Sequence, residues 1–414
     1  MRLRDFEIAL KRFAVNLKIA KSRSQQYKII SCRCMMICFY ITIALLLLYG
    51  ILFQYYSNWW KSIPGFTADD CKEWRPLLKI SVIIPARNEE ENIAACLHSI
   101  CKQNYPRHLF QVIMIDDNST DNTLRIANSI AYEGIRIICF ALPPAGKNTA
   151  PKKRAIETGI SMASGELIVT TDADCTAGPD WLRSIAAYHD HSKNIFIAAP
   201  VKIKDGPSLL SKFQALDFLT MQGITAAAVF KRFHNMCNGA NLAYEKKIFY
   251  AVDGFTGINN IASGDDMLLM NKVAVIYPKN IGFIHSPAAI VTTLPAAGWK
   301  AFFQQRIRWA SKATHYKERG IFLVLLLVYL TNLLLFCFLL MGFFEKFALL
   351  LFGFLCIAKF FMELFFVSEV ARFFKQSYLV AWLFFLQPLH IIYIVVSGFL
   401  GQFKTYEWKG RKLK

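Results

Sequence analysis

Apolar and polar positions fall into two regimes along this chain. Met35 to Tyr56 and Ile321 to Phe344 are uncharged apolar runs, each at or above the roughly 20 residues that cross a bilayer as a helix. Phe347 to Val367 and Tyr378 to Leu400 are also long enough, but the first carries Lys359 and Glu363 and the second Gln387 and His390. From Cys71 to Arg319 the pattern changes to short segments of alternating character. Lys79 to Pro85 is a β-branched run stopped by proline and predicts a buried strand. Glu89 to Cys101 predicts a helix, with Ile93, Cys96, Leu97 and Ile100 on one face and three glutamates at its positive end. Further strands are expected at Phe110–Ile115, Ile135–Phe140 and Glu166–Thr170, and further helices at Thr120–Ile130 and Lys152–Met162. The polar stretch from Tyr188 to Lys193 reads as an exposed loop. Such alternation predicts an α/β domain, a mostly parallel sheet covered by helices, with its ligand site beyond the carboxyl ends of the strands.

Composition adds the size of each part. The chain has 414 residues and is 55% hydrophobic, and residues 71–319 have the length and composition of one globular domain. The expected organisation is a basic segment 1–34, a membrane helix 35–57, a catalytic domain 71–319, two or three membrane helices within 321–401, and a basic tail 402–414. The net charge is +19, but the basic residues gather beside the apolar runs, around Pro151 and near Arg306 and Arg308. That placement fits a membrane surface, not a nucleic acid, as partner. Eleven cysteines are scattered, several inside the apolar runs, so they form no disulfide framework.

The chemistry-bearing residues sit where strands end. Asp172 and Asp174 flank one alanine just past a strand, so both carboxylates can face one hard cation, Mg²⁺ or Mn²⁺, with positions left for water and phosphate. Asp116 and Asp117 end another strand, and a carboxylate there can accept from a nucleobase or ribose; the alternative for Asp116 is a cap on the following helix. Lys152, Lys153 and Arg154 open a helix, where cations oppose the dipole and suggest an anionic neighbour such as diphosphate; a solvated charge run is the other reading. Ser263-Gly264-Asp265-Asp266 leads into an apolar helix, so its carboxylates serve either as a general base or as a helix cap. Gln305, Arg306, Arg308 and Trp309 precede the second run and fit either an interfacial anchor or a site for diphosphate and sugar. His285, His189 and His191 are weighed as further metal ligands, against ordinary core and surface roles.

Taken in order, these motifs resemble the inverting family 2 glycosyltransferases, the group of cellulose, chitin and hyaluronan synthases and many single-sugar transferases. The matching residues are Ser81 to Pro85 with Arg87 to Glu89, Asp116-Asp117-Asn-Ser-Thr-Asp121, Lys152 with Ala155, Asp172-Ala-Asp174, Asn238-Gly-Ala-Asn241, Gly264-Asp265-Asp266 and Gln305-Arg306-Ile-Arg308-Trp309. The resemblance implies a nucleotide-sugar-binding, Rossmann-like domain of the first glycosyltransferase fold type. It implies donor contacts from Pro85, Glu89, Asp117, Lys152, Asp172 and Arg308, and a metal on Asp174 with Asp172. Acceptor contacts are expected from Gln305, Trp309 and Asn241. Asp266 falls at the family's catalytic aspartate, and Asp265 stands where the family has glutamate.

The implied reaction is one displacement at the anomeric carbon, with Asp266 taking the acceptor's proton and inversion of configuration. The expected acceptor is a lipid or lipid-linked glycan, and the expected site is the cytoplasmic face of the plasma (inner) membrane. A processive polysaccharide synthase is the near alternative and a metal-dependent nucleotidyltransferase the distant one, with a non-catalytic scaffold last. Orientation sets two arguments against each other. A cytoplasmic domain after one span places residues 1–34 outside, yet they carry nine Lys and Arg against Asp5 and Glu7. A natural start at Met35 or Met36, or an amphipathic helix on the membrane, would resolve it. For the basic tail, the expectation is that the Lys359/Glu363 run lies in the interface or re-enters.

Overall fold

The computed structural model describes residues 3–67, 74–143, 150–204, 206–259, 261, 264–311, 319–403, 406–408 and 411–413; Cys71 and Ser263 lie outside them. The chain begins with helix α1 (Leu3–Ser62), unbroken between its basic half and its apolar half. The α/β domain follows as β1 (Ile80–Ala86), α2 (Ile93–Cys101), β2 (Phe110–Asp116), α3 (Thr123–Asn128), β3 (Arg136–Ala141), α4 (Pro151–Met162) and β4 (Leu167–Thr170). Every strand and helix expected in this half forms, to within three residues or so at most ends. Every residue of β2 is buried, and β1 is buried at all but Pro85, as parallel strands covered on both faces must be.

The second half holds β5 (Thr176–Ala177), α5 (Trp181–Ser192), β6 (Phe196–Ala198), β7 (Val201–Ile203), α6 (Leu209–Lys231), β8 (Leu242–Glu245), α7 (Lys246–Ala251), α8 (Met267–Ile276), β9 (Ile281–Phe283), β10 (Val291–Thr293) and α9 (Trp299–Ala310). The stretch expected as a loop at 188–193 is mostly the end of α5, whose buried side carries Trp181, Leu182 and Ile185. Seven strands form the main sheet in the order β3-β2-β1-β4-β8-β6-β9. It is mostly parallel; β8 alone runs against its neighbours β4 and β6. A small sheet, β5-β10-β7, stands beside it. Gly159 of α4 packs so closely on β1 that a Cβ there would lie 2.6 Å from Ile83 Cγ2.

Three long helices complete the chain, α10 (Arg319–Met341), α11 (Lys346–Phe373) and α12 (Leu383–Phe403), before a two-stranded ribbon, β11 (Tyr406–Trp408) and β12 (Arg411–Leu413). With the apolar part of α1 they make four helices long and apolar enough to cross a membrane. Of the two placements expected for the Lys359/Glu363 run, re-entry does not fit, because α11 is an unbroken helix of 28 residues without the turn that re-entry requires. Its charges are buried instead, Lys359 Nζ lying 2.7 Å from Glu363 Oε1 and 2.8 Å from Gln387 Oε1, with Tyr49 of α1 donating to Glu363. A paired, hydrogen-bonded couple is the form in which charge is tolerated among apolar helices. Both ends of α12 touch the α/β domain. Trp382, just before it, lies under Lys212 Nζ of α6 at 4.4 Å, and a Cβ on Gly401 would lie 2.8 Å from Ala310 Cβ of α9.

Candidate active site

Because β2, β1 and β4 are parallel neighbours, the loops after them emerge on one rim and bring Pro85 to Glu89, Asp117 and Asp172 to Asp174 together. Antiparallel β8 starts where β4 ends, Leu242 opposite Thr170, so Asn238, Gly239 and Ala240 join the same rim. The start of α8 adds Asp265 and Asp266, and α9 adds Gln305, Arg308 and Trp309. The pocket they line has a volume of about 230 Å³ and is open to solvent on one side.

Local hydrogen bonds set each acid. Arg87 Nη1 donates to the carbonyls of Asp117 (2.6 Å) and Asn118 (2.9 Å), stapling the loops after β1 and β2. Asn118 takes φ of 57°, a left-handed turn that asparagine tolerates. Asp116 accepts the Ser119 N–H at 3.1 Å, the cap-like role, whereas Asp117 lines the pocket. Glu89 accepts from Asn92 Nδ2 at 2.9 Å.

The basic start of α4 divides three ways. Lys153 is buried and donates to the carbonyls of Ile258 (2.6 Å) and Ile261 (2.9 Å), and Arg154 donates to the carbonyl of Pro143. Only Lys152 faces the pocket, with Nζ 2.7 Å from Asp172 Oδ1 and 3.3 Å from Asp265 Oδ2. Burial works to lower its pKa, but the attraction of Asp172 and Asp265 outweighs it and raises it, so the ammonium stays charged. It ties Asp172 to the acidic pair before α8.

Asp174 accepts from Thr293 Oγ1 at 3.3 Å and Cys175 Sγ at 3.4 Å. Among the described residues no group of three or more His, Cys, Asp or Glu side chains is arranged around one point. Two carboxylates with other positions open to phosphate and water are how Mg²⁺ is usually held. The local field agrees: burial, then Asp174 and Asp172, push the Cys96 and Cys175 thiols well above their ordinary pKa. Hard oxygen donors in a negative field fit Mg²⁺ or Mn²⁺.

Asp266 accepts two backbone N–H groups, Met267 at 2.7 Å through Oδ1 and Gly239 at 3.1 Å through Oδ2. Capping α8 thus fixes the carboxylate in the pocket, so the cap and the site are one arrangement. On α9 the two arginines part company. Arg308 and Trp309 line the pocket, while Arg306 turns inward to Asp217 of α6 at 2.8 Å, both nearly fully buried. Asp217 Oδ1 also accepts from Tyr393 Oη of α12 at 2.6 Å, and the Arg306 guanidinium lies 4.2 Å from the Trp309 ring. Sequence reading missed Asp217, although a lone acid inside the apolar stretch Phe213 to Ile224 was a signal for it.

One expectation is corrected by geometry, that for Asn241, and the histidines take the ordinary roles weighed against metal ligation. Asn241 is fully buried and saturated, donating to the carbonyls of Pro200 and Ala289 (both 2.8 Å) and accepting from Trp181 Nε1 at 2.9 Å, so it cannot reach an acceptor. Its neighbours Asn238 to Ala240 line the pocket in its place. His285 is packed between Trp60 and Phe373, and burial lowers its pKa to about 4. His189 pairs with Glu245 at 3.0 Å and the His191 ring lies against Phe66, both remote from the pocket lining.

The sequence profile described as glycosyl transferase family 2 matches residues 81–252, and that of glycosyl transferase family group 2 matches residues 167–399, more than half of the chain. The chain belongs to the family 2 glycosyltransferases. It is 27% identical over 270 residues to the probable glycosyltransferase YdaM of Bacillus subtilis, covering 62% of this chain and 60% of that protein. It is 26% identical over 248 residues to an N-acetylglucosaminyltransferase of Rhizobium meliloti, covering 58% and 56%. The chain therefore spans under two thirds of the length of these relatives. In fold it is similar to the mannosyltransferase PcManGT from Pyrobaculum calidifontis, solved with GDP-Man and Mn²⁺, at a TM-score of 0.53 and 19% identity, covering 87% of this chain and 99% of that one.

Proposed function

We propose that this protein is a metal-dependent, inverting hexosyltransferase that moves a sugar from a nucleotide-diphosphate sugar to a hydroxyl on a lipid or lipid-linked acceptor. The observation that carries the proposal is one pocket holding Asp117, Asp172, Asp174, Lys152, Arg308 and the Asp265/Asp266 pair, with its wall α9 packed on the apolar helix α12. Asp117 accepts from the base or ribose, and Pro85 and Glu89 shape that end. Asp172 and Asp174 hold Mg²⁺ or Mn²⁺, which supplies positive charge against the departing diphosphate. Lys152 keeps Asp172 oriented, and Arg308 meets the diphosphate from α9. Asp266, fixed by two N–H donors, takes the proton of the attacking hydroxyl, while Asp265 is engaged by Lys152. Gln305 and Trp309 offer an amide and a flat ring to the acceptor. The solved PcManGT complex with GDP-Man and Mn²⁺ supports the choice of donor and metal.

We infer that the domain faces the cytoplasmic side of the plasma membrane, because nucleotide sugars are made there. With both ends of α12 against the domain, we read the basic tail as lying on the domain's side of the membrane. Incubation with labelled nucleotide sugars and native membrane lipids tests the proposal. A single glycolipid of inverted anomeric configuration is expected. A ladder of oligomers would assign a processive synthase, and retained configuration would remove the single displacement.

A further inference from the structure

Two membrane-length helices reach the α/β domain at one place. The outward face of α1, with Ile41, Leu48, Ile51 and Tyr55 each about half exposed, is the stripe that meets lipid. Trp59, one turn beyond Tyr55, continues it, and its ring lies 5.2 Å from that of Phe233, which is 41% exposed. The first turn of α10 arrives at the same point, where a Cβ on Gly320 would lie 3.3 Å from the Phe233 carbonyl oxygen. Phe233 therefore marks the level at which the apolar helices end and the domain begins, where aromatic residues gather at a membrane surface. Cations gather there too. Lys231 and Arg232 close α6 just before Phe233, and Arg232 Nη2 donates to the Lys279 carbonyl at 3.3 Å, which brings a third cation beside them from the turn before β9. All three are exposed, and none has a carboxylate partner among the described residues. The dipole of α6 accounts for cations in its last turn, but three like charges without a counter-ion repel one another and fit an anionic neighbour. Arg232 also takes φ of 54°, a left-handed turn that suits glycine or asparagine better, so a long cation is kept where the backbone alone would not select it.

We propose that Lys231, Arg232 and Lys279 form a site for the headgroup of an anionic phospholipid, with Phe233 and Trp59 set against the start of its acyl chains. The inference goes beyond the transferase reading and does not depend on it. A zwitterionic headgroup carries its own cation and leaves the three charges unbalanced, whereas a headgroup of net negative charge balances them. A free phosphate ester would meet the cations but leave the exposed aromatic rings in water. The same segment runs on from Phe233 to Asn238, Gly239 and Ala240 in the catalytic pocket, so a lipid held here sets the height of the domain on the membrane.

The test uses full-length protein stripped of lipid in detergent, titrated with phosphatidylglycerol or phosphatidylcholine and read by native mass spectrometry. Phosphatidylglycerol should bind on the order of tenfold more tightly, each cation near an anionic surface contributing about a fivefold factor. The triple variant Lys231→Gln, Arg232→Gln, Lys279→Gln should lose that preference and keep its affinity for phosphatidylcholine. A control variant, Arg107→Gln, Arg125→Gln, Arg136→Gln, removes the same charge around β3, at the other edge of the sheet from β9, and should retain the preference. Arg232→Asn alone suits the left-handed turn better than arginine, so it keeps the fold, and it should weaken phosphatidylglycerol binding about fivefold. Equal affinity of the wild type for the two lipids overturns the proposal, as does an equal loss in the site and control variants, which would report total charge and no site. Displacement of phosphatidylglycerol by an equal concentration of glycerol 3-phosphate would overturn the lipid as occupant.

Discussion

Replacing Asp217 by alanine strikes a residue outside the catalytic pocket and should still disable the acceptor side. Asp217 and Arg306 are 4% and 3% exposed, so removing the acid strands a buried guanidinium, a loss of about 3–5 kcal/mol. The Tyr393 hydroxyl loses its acceptor as well, worth ~1 kcal/mol. Arg306 then has every reason to leave its place 4.2 Å from the Trp309 ring, and Trp309 loses the partner that holds it at the pocket. Apparent KM for the acceptor should rise while donor hydrolysis is less affected, since Asp174 and Asp117 sit on other elements. Thermal unfolding in mild detergent gives the energetic half of the test through a double-mutant cycle. Asp217→Ala and Arg306→Met should each lower the melting temperature, and the double variant should recover much of the loss, because no unpaired charge remains. Simple addition of the two losses would show that the pair contributes nothing as a pair and would refute the reasoning.

Other consequences follow from the same geometry. Asp266→Asn should abolish transfer and leave donor affinity, read by nucleotide-sugar titration, nearly intact; a dead Asp265→Asn beside an active Asp266→Asn would reverse the assignment within the pair. Asp174→Asn should cost on the order of a hundredfold or more in rate, and EDTA should do the same to the wild type; full turnover in EDTA would remove the metal. His285 and His234 have pKa values lowered to about 4 by burial, so the folded protein refuses protons that the unfolded chain accepts. Their contribution to stability is complete above about 6.5 and is lost as pH falls toward 4, so the melting temperature should drop over that window, and His285→Phe should blunt the drop.

Legibility in the sequence followed local signal strength. The strands from Ile80 to Thr170 are four to seven residues long and strongly apolar, and their carboxyl ends carried the acids, so half the sheet and most of the rim could be read directly. Beyond Ala173 the strands shrink to two to four residues, and α6 is buried on most sides, leaving neither alternation nor a helical stripe to find. Asn241 misled because a polar residue beside a glycine resembles a ligand contact, whereas its amide is spent on three buried partners. Arg306 and Arg308 are two residues apart, so on a helix they point to different faces, a fact the motif alone does not weigh. Asp217 was invisible as a partner because its pairing crosses from one helix to another nearly ninety positions on.

The central claim, transfer from a nucleotide-diphosphate sugar, is tested most directly by the phosphate product. Purified protein in native lipid should be given a panel of nucleotide sugars with Mn²⁺, and the products resolved by ion-exchange chromatography. The account predicts that one donor yields a nucleoside diphosphate in step with glycolipid, and that Asp174→Asn loses both together. Release of pyrophosphate, or glycolipid formed undiminished by the Asp174→Asn and Asp266→Asn proteins, would contradict it.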